Sequence, residues 1–165
     1  MNGVADWKRV ENKAHEILNK FNIKEPLIDV YSIADAEGIN INPVIPGEDH
    51  EFSGFLDSNG EKPVMYVNAD ESVTRQNWTI AHELGHYYLQ HKPDEWGIAW
   101  RNQSDKNEFE QEADYFAACL LVPEQMLRSL MRKFKLKAED SLLLSQMFGV
   151  SERAMKNRLN FLRIT

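Results

Sequence analysis

The 165-residue sequence predicts an α+β fold, with helices packed on a small twisted, mostly antiparallel sheet and a helical C-terminal segment. Three observations predict it. Apolar residues recur at helix spacing near the N-terminus and again through the middle of the chain. Strand-like stretches gather between residues 39 and 67, and two of them flank Asn59-Gly60, a strong hairpin signal. Beyond Pro123 the pattern is helical throughout. Residues 1–124 read as one compact body and residues 125–165 as a helical segment packed on it.

Each element has its own warrant. Trp7, Val10, Ala14, Ile17, Leu18 and Phe21 define a helix over residues 6–21. "PLIDVYSIADAEG" gives a short second helix with Gly38 as its stop. "ININPVIP" reads as a strand broken by prolines. In the hairpin, Phe55 and Leu56 lie on one arm and Val64, Met65, Tyr66 and Val67 on the other. A long helix follows over residues 72–90. Residues 92–105, with Pro93, Gly97 and two tryptophans, are irregular. Helices over 107–121 and 124–134 come next, the first stopping before Pro123. The tail, "SLLLSQMFGVSERAMKNRLNFL", gives two helices around Gly149. It is helix-turn-helix-like, with Ser151 as a cap and Arg153, Lys156 and Arg158 on its second helix.

Bulk properties exclude several function classes. A net charge of −7 argues against a chain that simply coats nucleic acid. The charge is uneven: residues 125–165 hold nine Lys/Arg against three Asp/Glu, a balance of +6 that leaves −13 for residues 1–124. One cysteine, Cys119, rules out an internal disulfide framework, and its apolar setting, "YFAACLLVP", predicts a buried thiol. No apolar run approaches the length that spans a bilayer. The N-terminal residues have neither a signal-peptide apolar stretch nor a cleavage site, so a cytoplasmic protein is expected.

The chemistry concentrates in "TIAHELGHYYLQH", which holds three of the five histidines. His82 and His86 stand four residues apart, about 40° around a helix axis, so both rings project the same way and can share one metal ion. Glu83 reaches a water on that ion without being a ligand, the arrangement of a zinc hydrolase with a carboxylate general base. Gly85 inside the helix costs about 1 kcal/mol relative to alanine. Something must pack closely against the backbone there, and the strand facing the site is the expected neighbour. Catalytic zinc needs a third protein ligand. Glu108, Glu110 and Glu112 compete for that role. Glu110 shares a small apolar face with Ala113, Asp114, Ala117 and Leu121. Glu112 lies about 200° from Glu110 and should meet solvent. Glu110 is therefore the expected ligand, with Glu112 the open alternative, and Asp114 the group that orients a histidine. His91, five residues past His86, should point away from the metal on a continuous helix, in a surface or capping role. The strand at residues 64–67 is the candidate edge for pairing with an extended peptide. Tyr87, Tyr88, Tyr115, His91 and His50 are the candidates by type for stabilising an oxyanion.

Three blocks, "RQNWTIAHELGHYYLQH", "FEQEADYFAACLLVP" and "FGVSERAMKNRL", together resemble the ImmA/IrrE-type metallopeptidases. The resemblance extends over nearly the whole chain. It implies a zincin-like core over residues 1–124, a resident Zn2+ held by His82, His86 and Glu110, and Glu83 as the catalytic glutamate. Asp114 stands where many relatives have asparagine, and either can orient a histidine. The resemblance further implies a cytoplasmic endopeptidase of bacteria and their mobile elements. Its protein substrate would be a helix-turn-helix repressor encoded nearby, whose cleavage relieves repression. On this reading the C-terminal segment is integral to the peptidase, with no membrane partner and no direct DNA binding expected. The competing readings are a non-cleaving module that modulates a repressor or antitoxin-like partner, and a DNA-binding factor using its basic tail.

Overall fold

The computed structural model describes residues 5–47, 52–58, 60–91 and 108–165. The expected irregular segment over 92–105, the start of the helix expected from 107, and His50 and Asn59 lie outside them. In chain order the elements are α1 (Trp7–Lys20), α2 (Val30–Ala36), β1 (Asn40–Val44), β2 (Gly54–Asp57), β3 (Val64–Asn68), α3 (Val73–Leu89), α4 (Glu108–Leu121), α5 (Glu124–Phe134), a 3-10 turn (Ala138–Asp140), α6 (Ser141–Phe148) and α7 (Glu152–Phe161). This is the α+β architecture anticipated. Local chemistry explains the helix starts. The side chains of Asp6, Asp29, Ser72 and Ser151 accept hydrogen bonds from backbone N–H groups in the first turns of α1, α2, α3 and α7.

The sheet is mixed, in the order β1-β3-β2. β2 and β3 pair antiparallel, as the hairpin signal requires, whereas β1 and β3 pair parallel. The chain runs from β1 to the far side of the sheet, and β3 returns between β1 and β2. Two expectations change as a result. Residues 64–67 belong to the central strand, so they offer no edge; among the described strands β2 is the outer one beside α3. β1 also runs through Pro43 instead of breaking there, because an edge strand tolerates a residue without an N–H. Asn68 donates its N–H to the Ser53 carbonyl at 2.8 Å. By antiparallel alternation, the N–H and C=O of Gly54 and Leu56 then face away from β3.

Among the described residues one buried apolar cluster joins the elements, including Val10 of α1, Ile33 of α2, Met65 of β3, Leu84 of α3, Phe116 of α4, Leu127 of α5, Phe148 of α6 and Met155 of α7. The C-terminal helices meet the rest at specific points. Arg158 is buried and donates from Nε to the Val122 carbonyl at 3.0 Å. The Phe161 ring lies 4.8 Å from that of Tyr115, which in turn meets Trp7 edge-on at 5.1 Å. Cys119 is buried, and burial pushes its thiol pKa up.

α3 and α4 approach backbone to backbone. A Cβ added at Gly85 would lie 3.1 Å from the Ala113 Cα and 3.2 Å from its carbonyl oxygen. The close neighbour of Gly85 is therefore α4, not the strand. Alanine at position 85 would gain about 1 kcal/mol of helix propensity. Overpacking against a backbone that cannot swing aside costs about 1–3 kcal/mol. The second effect wins, so Gly85→Ala is expected to lower the urea midpoint of unfolding; an unchanged or raised midpoint would contradict this packing.

Candidate metal centre

Among the described residues, His82, His86 and Glu110 form a group of potential ligands whose donor atoms all lie within 4.8 Å of one another. α3 supplies both imidazoles from one face, one turn apart. α4 brings Glu110 opposite them because Gly85 lets the two helices close. The two Nε2 atoms are 3.1 Å apart. Glu110 lies with Oε2 3.3 Å from His82 Nε2 and Oε1 3.2 Å from His86 Nε2. Zinc–ligand bonds of about 2.0–2.1 Å at tetrahedral angles separate neighbouring donor atoms by about 3.3 Å. The donor set and its spacing therefore fit a tetrahedral ion with room for a further ligand.

The groups behind the cluster orient it. His82 Nδ1 lies 3.0 Å from Asp114 Oδ1, so that nitrogen donates to the carboxylate and Nε2 is left facing the cluster. The Glu83 carboxylate accepts from the Leu56 backbone N–H at 3.1 Å, through Oε2. This ties the candidate base to the edge strand. Gly54 makes the tie feasible: any side chain there would run into the Thr79 methyl and, at 2.7 Å, the Tyr66 carbonyl, so β2 lies tightly along α3.

Two expectations fail here. α3 ends at Leu89, and Gln90 takes the left-handed conformation with φ 58°. The chain folds back, and the His91 N–H donates to the His86 carbonyl at 3.0 Å. His91 consequently lies against the candidate ligand cluster, with Nδ1 3.0 Å from His86 Nδ1. Its Nε2 is 3.0 Å from Glu112 Oε2, and the two side chains are only 3% and 6% exposed. Glu112 is thus buried rather than solvated, and it faces His91 instead of the ligand cluster. Its Oε1 accepts the Asp6 N–H at 2.8 Å, and Arg9 Nη1 stands 3.9 Å from Oε2. Pro93, three residues beyond Gln90, was the available signal that the helix stops. Among the candidates for oxyanion stabilisation, Tyr115 is enclosed by Trp7 and Phe161, Tyr88 lies against Phe116, Tyr87 meets Tyr88 edge-on, and His91 is engaged as described.

Electrostatics favour charge in the cluster. Burial is the largest influence on His82 and lowers its pKa, but hydrogen bonds to Asp114 and Glu110 and the Glu83 charge together raise it to about 10. Burial likewise opposes ionisation of Glu110, and the two histidines overcome it, holding the carboxyl below its usual range. Protons therefore compete with a metal for His82. In chelator-treated protein, the raised His82 pKa contributes stability that is complete below the unfolded value of 6.5 and is lost as pH rises through about 10. Melting temperatures in excess chelator should fall between pH 7 and pH 10, and His82→Gln should flatten that decline. A flat wild-type profile would contradict the assignment. Zinc addition at pH 7 should release protons.

The profile of the IrrE N-terminal-like domain family, Peptidase_M78, matches residues 34–160. A metallopeptidase of Bacillus subtilis (strain 168), ImmA, is 27% identical over 99 residues, which cover 60% of this chain and 57% of that protein. A solved structure, a Mycobacterium tuberculosis transcriptional regulator, superposes with a TM-score of 0.63 at 17% identity, covering 92% of this chain and 55% of the other. The latter is a likeness of fold. The chain spans a little over half the length of either relative. Since the profile match takes in well over half of its residues, the chain belongs to the IrrE N-terminal-like, Peptidase_M78 family.

Proposed function

We propose that the chain is a zinc-dependent endopeptidase that cleaves a helix-turn-helix repressor or similar regulator in the cytoplasm, with His82, His86 and Glu110 as metal ligands and Glu83 as general base. One observation carries the reading: two imidazoles and a carboxylate converge at tetrahedral spacing while Glu83, next in sequence to His82, is anchored to an edge strand. Two nitrogens and one oxygen donor suit zinc, and a three-residue set leaves a coordination position for chemistry. Family membership and the name of the Bacillus subtilis relative support the same reaction class.

A bound zinc ion supplies Lewis acidity, which makes water nucleophilic near neutral pH and polarises a carbonyl. The protein's own residues do the rest. Glu83 accepts the proton of the attacking water and passes it to the departing amine. Asp114 keeps His82 in the tautomer that directs Nε2 at the ion. A repressor substrate is supported by the family resemblance and by the +6 balance of residues 125–165, a docking surface for acidic or helical parts of a regulator. DNA contact by the tail loses one of its supports, since Arg158 is buried against Val122, and Lys156 pairs with Glu152 at 2.8 Å.

Glu83→Gln should keep zinc stoichiometry and lower the rate of repressor cleavage by about 10²–10⁴-fold. A chelator should abolish cleavage by the wild type, and zinc should restore it. Cleavage unchanged by Glu83→Gln would overturn the mechanism. Derepression in cells that survives the substitution would favour a binding module that does not cut.

A further inference from the structure

We infer that His91 and Glu112 form a positioning dyad that sets the tautomer and ring orientation of His86, and that α1 anchors this dyad. The inference rests on the metal reading of the cluster and deepens it. A histidine that binds an ion through Nε2 must carry its proton on Nδ1. In this structure His86 Nε2 faces the cluster and His86 Nδ1 lies 3.0 Å from His91 Nδ1. One pattern of protons satisfies every contact: His86 donates from Nδ1 to His91 Nδ1, and His91 donates from Nε2 to Glu112 Oε2, 3.0 Å away. The carboxylate end of the chain decides the direction. An ionised carboxylate only accepts, so His91 must donate to it and must accept from His86.

α1 supplies the counterweight. The Asp6 N–H occupies Glu112 Oε1 at 2.8 Å, and Arg9 Nη1 lies 3.9 Å from Oε2. Arg9 Nη2 also donates to the Leu89 carbonyl at 2.6 Å, at the end of α3 where the chain turns back toward His91. The two histidines are thus supported differently: His82 by a carboxylate on α4 directly, His86 through an imidazole and then a carboxylate. A solely structural role for this pair would leave metal affinity and the His86 proton position unaffected.

The test uses the full chain and zinc in competition with a chromophoric chelator. His91→Phe, of similar shape but with no acceptor, is expected to weaken zinc binding about 10–100-fold. His91→Asn restores an acceptor near the former Nδ1 position and is expected to recover most of the loss. Equal affinity in wild type and His91→Phe would overturn the dyad while leaving the metal site standing. A wild type that binds no zinc, like His82→Ala as the control, would sink the metal reading and the dyad with it. Should His91→Phe fail to fold, nitrogen-15 NMR of zinc-loaded wild type decides: a proton on His86 Nδ1 and on His91 Nε2 is expected, and a proton on His91 Nδ1 would overturn the proposal.

Discussion

The approach of α3 to α4 at Gly85 and Ala113 is the constraint on which the site depends. Helix pairs usually keep their axes about 8–10 Å apart because side chains intervene. Here a missing Cβ lets one backbone rest on the other. Glu110, one turn before Ala113 on α4, then comes within 3.3 Å of both imidazoles, which α3 has already aligned. The third donor is therefore placed by tertiary packing, and a modest widening between these helices would take the carboxylate out of range of both rings at once. Phe116, fully buried on the same face of α4, holds the contact closed.

A second layer of order comes from polar groups that water cannot reach. His91 and Glu112 are nearly inaccessible, and an unpaired charge in such a place costs several kcal/mol. Each has a partner on a different element: His91 meets α3 and α4, and Glu112 meets the start of α1. The N-terminal helix is thus electrostatically coupled to the site although it contributes nothing to the cluster itself. Trp7 strengthens the same junction through its ring contact with Tyr115 on α4.

Much of this was legible because local rules sufficed. The helical periodicity and the cap at Ser151 marked the helices, and Asn59-Gly60 marked the hairpin. The i, i+4 spacing of His82 and His86 marked the face of the candidate cluster, and the shared face of Glu110 and Asp114 singled out the acidic pair. Most of what escaped depended on more than a local window holds. Gln90 is neither glycine nor asparagine, so its left-handed turn has no propensity signal, and without that turn His91 points the wrong way. Glu112 sits on the side of α4 opposite Glu110, but that side is covered by α1, which is distant in sequence, and so is buried as well. The insertion of β3 between β1 and β2 is likewise a matter of topology, and only pairing reveals which strand owns the edge.

The brevity of β2 has its own consequence. Four residues at about 3.3 Å each make a rail roughly 13 Å long. Gly54 and Leu56 turn main-chain groups away from β3, and the amide of Leu56 already holds Glu83. Any strand pairing on that side would have to contend with the glutamate for one of its ladder bonds. The position of the Glu83 carboxylate is thereby tied to the pairing of one short strand, and whatever displaces β2 moves the glutamate with it.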